Sequence, residues 1–351
     1  GLPFLLVACA ESGAEPGSEA EAAAAAAPAD VFVGDRSVGC LEDPACINRL
    51  HPDIPMVADA DPGERILFHG RDAFDLTLDP DEMSSAPAKP HEGAGIVHAL
   101  TGPVSINGAQ AGDVIAVTIE SLEPDSVGWT EASTFGFAGE EFGAETYFIV
   151  WRMDDEYATS DALPGVRIPN ASFPGVMTTM PDAELTAEVL AREGALFAEG
   201  GAGLPPDVIE ATPQALCGSD GTAPDECLRT IPPREHGGNM DIRYITTGST
   251  VYLPCLIDGC GLAVGDFHYA QGDGEVAGTA IEMGGTMTVS VEIVADPPDL
   301  SHGPHYEGPS SVLAIPSERF HATTGFPLKE AGEVPANLAY LESQKLAGLT
   351  N

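Results

Sequence analysis

Glycine and proline interrupt this chain so often that long regular elements are excluded over most of its length. The 351 residues include 40 Gly and 30 Pro, and both residues weaken or end helices and central strands. Between these breaks lie short runs rich in β-branched residues, which are typical of strands: residues 65–68, 113–120, 250–257 and 286–294. The sequence therefore predicts a mainly β fold of the α+β type, with a β-sandwich or barrel-like core and a few helices.

Only two segments have helical spacing. Residues 182–199 carry apolar side chains near one stripe, namely Leu185, Val189, Leu190 and Phe197. A second predicted helix starts near Pro335 and runs to the last residue. The segment 101–104, TGPV, instead predicts a turn because of its Gly-Pro pair. There is no P-loop, dinucleotide fingerprint or Gly-x-Ser-x-Gly motif, which argues against a serine hydrolase.

The charge balance excludes two classes of partner. The sequence has 14 basic and 55 acidic residues, a net charge of -41. Nucleic-acid binding requires a basic surface, and adsorption to anionic lipid requires basic clusters. We interpret the acidity as a solubility feature of the surface rather than as a site for cationic partners.

The first residues predict export. Residues 1–9, GLPFLLVAC, form an apolar run that ends in Cys9 and resembles the lipobox at the end of a bacterial lipoprotein signal peptide. Because the charged leader is missing, the sequence is expected to begin within that signal peptide; an ordinary secretory signal with a chance Cys is the alternative. Residues 10–30 lack aromatic residues and predict a disordered tether. We expect a periplasmic or cell-surface lipoprotein, attached to the membrane only by lipid on Cys9.

The remaining six cysteines fall into three close pairs. They are Cys40 with Cys46, Cys217 with Cys227, and Cys255 with Cys260. An even number of cysteines in an exported chain favours disulfides. A cysteine zinc site is the alternative, but the sequence has no Cys-x-x-Cys motif. We hypothesise three short-loop disulfides.

The most informative stretch for chemistry is residues 236–282, where candidate ligands are interspersed with many glycines. This stretch holds two His and four acids that could bind a cation or move a proton: His236, His268, Asp241, Asp266, Asp273 and Glu275. A single His is more often structural than a ligand, and an Asp-Gly pair alone predicts a hairpin turn. However, strand alternation puts Asp266 and His268 on one face, and likewise Asp273 and Glu275. Carboxylate and imidazole facing one way favour zinc or a similar divalent ion.

Seven motifs carry a family resemblance. They are NRLHPDIPMV at 48–57, VHALTGPVSINGAQAGDVI at 97–115, LPGVR at 163–167, REHGGNMD at 234–241, STVYLPCLIDG at 249–259, VGDFHYAQGDGE at 264–275 and TAIEM at 279–283. On these motifs the chain resembles the acetamidase/formamidase family, metal-associated amidohydrolases that release ammonia from short amides, over residues 47–325. The resemblance implies a catalytic domain over residues 31–351 that continues beyond the last residue, a small amide substrate and a homo-oligomer.

Amide hydrolysis needs a nucleophile, an electrophile for the carbonyl oxygen and an acid for the leaving nitrogen. A divalent metal supplies the first two, and the resemblance implies zinc, with calcium or manganese as alternatives. The predicted metal ligands are Asp72, His98, Asp241, Asp266 and His268. Glu275 is the predicted proton carrier, and the catalytic set also includes Asp241, His268 and Asp273. Alternatively, Asp266 and Asp273 orient the imidazole without binding the metal.

Five residues are assigned to the substrate pocket: His51, Phe173, Gly238, Asn239 and Gln271. His51 either forms a wall of that pocket or is hydrogen-bonded locally in an extended edge segment. The chain departs from the long formamidases at three positions, where Leu50 replaces an aromatic residue, Phe173 a histidine and His69 an acid. These departures change the pocket walls and leave the metal chemistry intact.

Three functions compete at this stage. The first is a metal-dependent exported amidohydrolase for formamide- or acetamide-like substrates. The second is a lipoprotein that binds an amide or a metal without catalysis. The third is an amidase for a larger amide or a lactam. The presence of both predicted ligands and a proton carrier favours catalysis.

Overall fold

The computed structural model describes residues 29–76, 78, 96–132, 146–199, 204–275, 277–313 and 319–323. The predicted signal peptide, nearly all of the predicted tether and the helix predicted from Pro335 onward lie outside these residues. Within the described part of the chain, β-strands dominate and two α-helices occur, which confirms the prediction of a mainly β fold with a few helices.

The strands are short, as the spacing of Gly and Pro predicts, with three exceptions that approach or exceed ten residues. In chain order they are β1 Val31–Val33, β2 Cys46–Ile47, β3 Arg49–Leu50, β4 Ala58–Ala60, β5 Arg65–Gly70, β6 Leu100–Ile106, β7 Val114–Ala132, β8 Tyr147–Met153, β9 Tyr157–Thr159, β10 Ile168–Pro169, β11 Phe173–Thr178, β12 Leu228–Arg229, β13 Gly237–Asn239, β14 Thr250–Pro254, β15 Cys260–His268, β16 Glu282–Ile293, β17 His305–Pro309 and β18 Arg319–Thr323. The four predicted strand runs are confirmed as β5, β7, β14 and β16. The predicted turn at 101–104 is wrong, because it lies within β6.

Sixteen strands join in one sheet, and the remaining two, β3 and β12, pair with each other. The main path runs β10-β9-β8-β7-β16-β15-β11-β13. Strand β16 is central, because it pairs antiparallel with β7, with β5 and with the end of β15. Its pairing with β7 shifts register between Met283 and Gly285. Such a bulge bends a strand and redirects its side chains, and it lies beside the site described below.

The main core is formed by side chains of β5, β6, β7, β14, β15 and β16. On β5 the buried positions alternate with half-buried ones, so that Ile66 and Phe68 point inward. Gly70 continues this face, and a side chain there would overlap the ring of Phe267 on β15. The absence of a Cβ at Gly70 therefore lets β15 pack against β5 and fixes the strand that carries the site residues.

The main helix, α1, is Ala183–Ala198, which confirms the helix predicted over residues 182–199. Asp182 caps it by accepting a hydrogen bond from the backbone N of Leu185 at 2.7 Å. The short helix α2, Gln214–Cys217, follows, and Ser310–Leu313 form one 3-10 turn. Among the described residues, neither helix has the length and apolarity that a bilayer crossing requires.

All three hypothesised disulfides are present. They join Cys40 to Cys46, Cys217 to Cys227, and Cys255 to Cys260. Each closes a local loop of the chain, as the close spacing of the cysteines suggests.

Candidate metal centre

The site is built around the imidazole of His268, at the last position of β15. The ring is almost fully buried, and the ring of Phe173 on the neighbouring strand β11 meets it edge-on at 5.0 Å between centroids. Its two nitrogens face opposite sides of the site. Carboxylates lie on both sides, so that His268 separates two acidic groups.

The Nε2 atom of His268 faces Asp266 and Glu282. The Oδ1 atom of Asp266 lies 3.4 Å from Nε2, and the Oε2 atom of Glu282 lies 3.3 Å from it. Asp266 comes from the same strand, as its spacing predicts. Glu282 comes from β16, where it stands directly opposite His268 in the strand pairing. Potential ligand atoms of these three buried residues lie within 4.8 Å of one another.

Glu282 is the residue that sequence reasoning missed. It belongs to the TAIEM motif, and the signal was an acid between apolar residues of a predicted core segment. A buried charged residue is rare unless it has a partner, so that position deserved a functional interpretation.

The Nδ1 atom of His268 faces Asp241 and Glu275. The Oδ1 atom of Asp241 lies 4.0 Å from Nδ1, and the carboxyl groups of Asp241 and Glu275 are close enough to affect each other's pKa. Potential ligand atoms of this second set also lie within 4.8 Å of one another. The Nε2 amide of Gln271 donates to the backbone carbonyl of Asp241 at 2.9 Å and holds that loop against the site.

His98 approaches the same centre from the segment before β6. Its Nε2 atom lies 3.7 Å from the Oδ2 atom of Asp266, and its Nδ1 atom is 3.2 Å from the hydroxyl of Thr230. The Thr230 hydroxyl also accepts a hydrogen bond from the backbone N of His98. Thr230 thus orients His98 toward Asp266.

Electrostatics separate the acids into two groups. Burial works against ionisation of Asp266, but His98 and His268 together hold its pKa below the usual range. Burial raises the pKa of Glu275 to about 10, and the Asp241 carboxylate adds to the rise. Burial also raises the pKa of Asp241 to about 7. At neutral pH, Asp266 is therefore ionised while Glu275 holds its proton.

The histidines differ in the same way. Burial lowers the pKa of His98, and Asp266 only partly opposes this change. For His268, burial favours the neutral ring, but Glu282 and Asp266 outweigh it and hold the pKa well above the usual value. The negative charge around His268 is thus large enough to bind a cation, either a proton or a metal ion.

A divalent cation fits this donor set. Four buried polar atoms at the centre have no hydrogen-bond partner in the structure, although buried polar atoms are normally paired: Asp241 Oδ1, Asp266 Oδ1, His268 Nδ1 and Glu282 Oε2. Carboxylate oxygen and imidazole nitrogen are ligands that zinc accepts. Four of the five predicted ligands, His98, Asp241, Asp266 and His268, therefore lie together.

The fifth predicted ligand, Asp72, lies apart from both sets. Its carboxylate accepts hydrogen bonds from the backbone N atoms of Phe74 and Leu76. Burial raises the pKa of Asp72 to about 7, and the charge of Glu282 contributes to the rise. Asp72 therefore borders Glu282 and belongs to neither of the two sets of ligand atoms.

The other predicted site residues divide between the centre and its surroundings. Gly238 and Asn239 lie on β13, opposite Met177 and Val176 of β11, the strand that begins at Phe173. Asp273 is exposed and pairs with Arg243 at 2.7 Å. The Nδ1 atom of His51 accepts from the backbone N of Asp53 at 3.1 Å, as the local-bonding alternative predicts, and its Nε2 atom lies 3.8 Å from Glu226.

Comparison with known proteins connects this geometry to a family. Residues 35–347 match the sequence profile described as the Acetamidase/Formamidase family. A protein of Schizosaccharomyces pombe assigned as a formamidase is 34% identical over 328 residues, which cover 88% of this chain and 78% of that protein. The acetamidase of Mycolicibacterium smegmatis is 32% identical over 277 residues, or 70% of this chain. The match spans 65% of the acetamidase, slightly less than two thirds of its length.

A solved structure shows the same fold. The gamma lactamase from Delftia acidovorans superposes with a TM-score of 0.70 at 30% sequence identity. The match covers 78% of this chain and 70% of the lactamase. This agreement confirms the predicted fold class over the 78% of this chain that the match covers.

Proposed function

The chain belongs to the Acetamidase/Formamidase family, and from that premise we propose that it hydrolyses the C–N bond of small linear amides to a carboxylate and ammonia. Membership confirms the resemblance carried by the seven motifs and the prediction of an amidohydrolase. The formamidase and acetamidase names of two relatives support a linear amide as the substrate.

One observation carries the proposal: a single buried imidazole lies between two pairs of carboxyl groups, with Asp266 and Glu282 at Nε2 and Asp241 and Glu275 at Nδ1. On the Nε2 side, Asp266 is ionised and has an unpartnered oxygen. On the Nδ1 side, burial and the neighbouring Asp241 carboxylate raise the pKa of Glu275 to about 10. A hydrolase needs both an electrophile and a proton donor, and the two sides of His268 can supply one each.

We assign the metal to the Nε2 side. Asp266, Glu282 and the Nε2 atom of His268 would hold it, with His98 behind Asp266. Metal ligands must be deprotonated, and Asp266 on this side is the acid whose pKa is held below the usual range. Asp241 would then accept a hydrogen bond from Nδ1 of His268 and fix its tautomer, a common arrangement behind metal-bound histidines. Two carboxylates with one or two imidazoles favour zinc over calcium, and manganese is the alternative.

The protein side chains then have distinct duties. A divalent ion in this position would lower the pKa of a bound water and polarise the amide carbonyl. Glu275 would donate its proton to the leaving nitrogen, because burial keeps that carboxyl protonated at neutral pH. The Asp241 carboxylate, which adds to the rise in the pKa of Glu275, would help to keep Glu275 protonated before each turnover.

A cyclic amide is the second candidate substrate. The solved relative named gamma lactamase shares 30% of its sequence with this chain, and Phe173 stands where long formamidases have a histidine. Replacement of a polar side chain by a phenyl ring beside His268 would favour a more apolar substrate. A five-membered lactam therefore belongs in the substrate panel.

We also propose that the protein is an exported lipoprotein and a homo-oligomer. The three disulfides support an oxidising compartment. Labelled palmitate should be incorporated by cells that express the natural full-length protein and not by cells that express Cys9→Ala. Light scattering of the purified protein would give the oligomeric state, and a monomer at micromolar concentration would contradict the second part.

The test of function combines metal analysis with turnover. Elemental analysis should find about one divalent ion per chain, and ammonia should be released from formamide, acetamide or propionamide. A chelator should abolish release, and zinc should restore it. Release from the lactam alone would favour the second substrate. A metal-loaded protein that turns over no amide would be a binding protein and would overturn the proposal.

A further inference from the structure

A cavity of about 490 Å³ lies beside Glu282. Its volume is within the range of small-molecule sites, roughly 300–1,000 Å³. Asp72 and Glu282 line it, and Glu282 in turn reaches the Nε2 atom of His268 at 3.3 Å. Glu282 therefore connects the cavity to the candidate metal side of the centre.

The walls of this cavity are of two kinds. Leu76, Leu78 and Trp129 form an apolar wall, which suits the hydrocarbon part of an amide. The lining also includes an ion pair between Arg36 and Asp125, in which the two terminal guanidinium nitrogens donate to the carboxylate at 2.6 and 2.8 Å. The side chains of Arg36 and Asp125 are 28% and 41% exposed, so the pair stands at the rim.

The absence of a side chain at Gly284 on β16 leaves the space that the ion pair occupies. A side chain at Gly284 would overlap both the Arg36 guanidinium and the Asp125 carboxylate. Arg36 is held further by a hydrogen bond to the backbone carbonyl of Gly70 at 3.1 Å. The pair thus lies two residues along β16 from Glu282, close against the strand.

We propose that the Arg36–Asp125 ion pair is a specificity-determining wall of the amide pocket, which limits the length of the acyl chain beside Glu282 and excludes anionic amides. This inference rests on the proposed function. The described residues that line the cavity include two cations, Arg36 and Arg71. The bidentate pair with Asp125 neutralises Arg36 at the rim. Arg71 is buried and is paired with Asp43 and Asp75. The wall therefore selects by size, and the pocket accepts short neutral acyl chains.

Two substitutions at Asp125 separate size from charge. Asp125→Ala removes both the bulk and the charge, so the ratio of kcat/KM for butyramide over acetamide should rise about 10-fold, the lower end of what one methylene is worth in a pocket. Asp125→Asn keeps the bulk, so this ratio should stay near the wild-type value. Both variants leave Arg36 unpaired, and both should gain activity on succinamate relative to neutral butyramide.

The matched control is Asp161→Ala, which breaks the exposed ion pair between Asp161 and Arg152 of β8 and should leave both ratios unchanged. All proteins are assayed metal-loaded, with thermal unfolding as a check that each is folded. If the wild type hydrolyses amides while both Asp125 variants keep its chain-length and charge preferences, the wall has no such role. If the loaded wild type hydrolyses no amide, the proposed function itself fails.

Discussion

Three acids of the centre stand in a backbone conformation that L-residues seldom adopt. Asp241, Asp266 and Glu275 have φ values of 48°, 55° and 42°. Such residues cost on the order of 1–3 kcal/mol each and persist where the surroundings enforce them. Two hydrogen bonds hold the backbone of Asp241 in this conformation. Gln271 Nε2 donates to the carbonyl of Asp241, and the backbone N of Asp241 donates to the carbonyl of Gly175. The strained backbone at these three residues therefore lowers stability but directs their carboxyl groups toward His268.

We predict that Glu275→Gln lowers kcat for amide hydrolysis by about 100-fold or more, the usual contribution of a general acid. Gln keeps the size of Glu275, but its amide cannot deliver a proton at neutral pH. Ammonia release at saturating substrate is the measurement. The matched control is Glu188→Gln on the exposed face of α1, which should retain wild-type activity. A Glu275→Gln enzyme of undiminished kcat would remove Glu275 from the mechanism.

The sequence predicts correctly those site residues that lie close together because they are near each other along one strand. Asp266 and His268 are two apart on one strand, so alternation alone predicts that they act together. Glu282 was missed because its position depends on the register between β15 and β16, which no local pattern encodes. Asp273 was grouped with Glu275 by the same alternation, but these two lie in a turn rather than a strand, and only Glu275 faces His268.

His236 provides a pH prediction away from the centre. Burial, together with the neighbouring Arg234, lowers the pKa of His236 to about 3, and its Nδ1 atom is 2.7 Å from the hydroxyl of Thr178. An unfolded histidine binds a proton below about pH 6.5, whereas folded His236 stays neutral. Stability from this residue is therefore complete above pH 6.5 and is lost progressively as the pH falls toward 3.

The measurement is urea unfolding between pH 7 and 4 for the wild type and His236→Asn. The wild-type free energy of unfolding should fall more steeply with decreasing pH, by up to about 1.4 kcal/mol per pH unit, the effect of one proton. The carboxylates common to both proteins cancel in this comparison. Parallel pH profiles would show that His236 does not resist protonation in the folded state.

At the scale of elements, the predicted strands succeed where β-branched residues alternate and fail where Gly or Pro occurs inside a strand. Strand β6 contains Gly102 and Pro103, which suggested a turn, yet it is paired and buried. At Gly102 a side chain would meet the backbone of Leu262 and Ala263 on β15. The glycine is there to allow close strand contact, a reason that depends on the partner strand and not on the local sequence.

The attachment of α1 to the sheet gives a second stability prediction. Glu193 on α1 binds the buried guanidinium of Arg234 at 2.8 and 3.0 Å, whereas Arg192 and Glu235 form a more exposed pair beside it. Glu193→Gln leaves the buried Arg234 charge uncompensated, which typically costs about 3–5 kcal/mol. Glu235→Gln should cost less than about 1 kcal/mol. Urea unfolding of both variants at pH 7 checks the contrast, and equal losses would contradict it.

At the scale of the whole molecule, charge repulsion and disulfide bonds have opposite effects on the stability of the folded state. A net charge of -41 favours expansion of the chain through self-repulsion. Three disulfides restrict the unfolded ensemble and are spread along the described chain from Cys40 to Cys260. Composition alone predicts both the acidity and the cross-links. The arrangement of the strands and helices next to one another follows only from the strand pairing in the structure.

We predict that Cys217→Ser combined with Cys227→Ser lowers the free energy of unfolding by about 2–3 kcal/mol, as expected for a short closed loop. This pair closes the longest of the three loops, with a sequence separation of 10. Thermal unfolding under non-reducing conditions is the measurement. A reductant should then lower the midpoint of the wild type more than that of the variant, and identical midpoints would show that the bond adds no stability.

Strand β16 has one more consequence, which concerns exchange with solvent. It is flanked by β7, β5 and β15, and its first residue is Glu282. Amides in such a central strand exchange only through the largest openings of a protein, and a ligand held by the native state slows those openings by mass action. Metal loading should therefore deepen hydrogen–deuterium protection in β16, far beyond Glu282. Deuterium uptake along this strand would act as an internal gauge of metal occupancy.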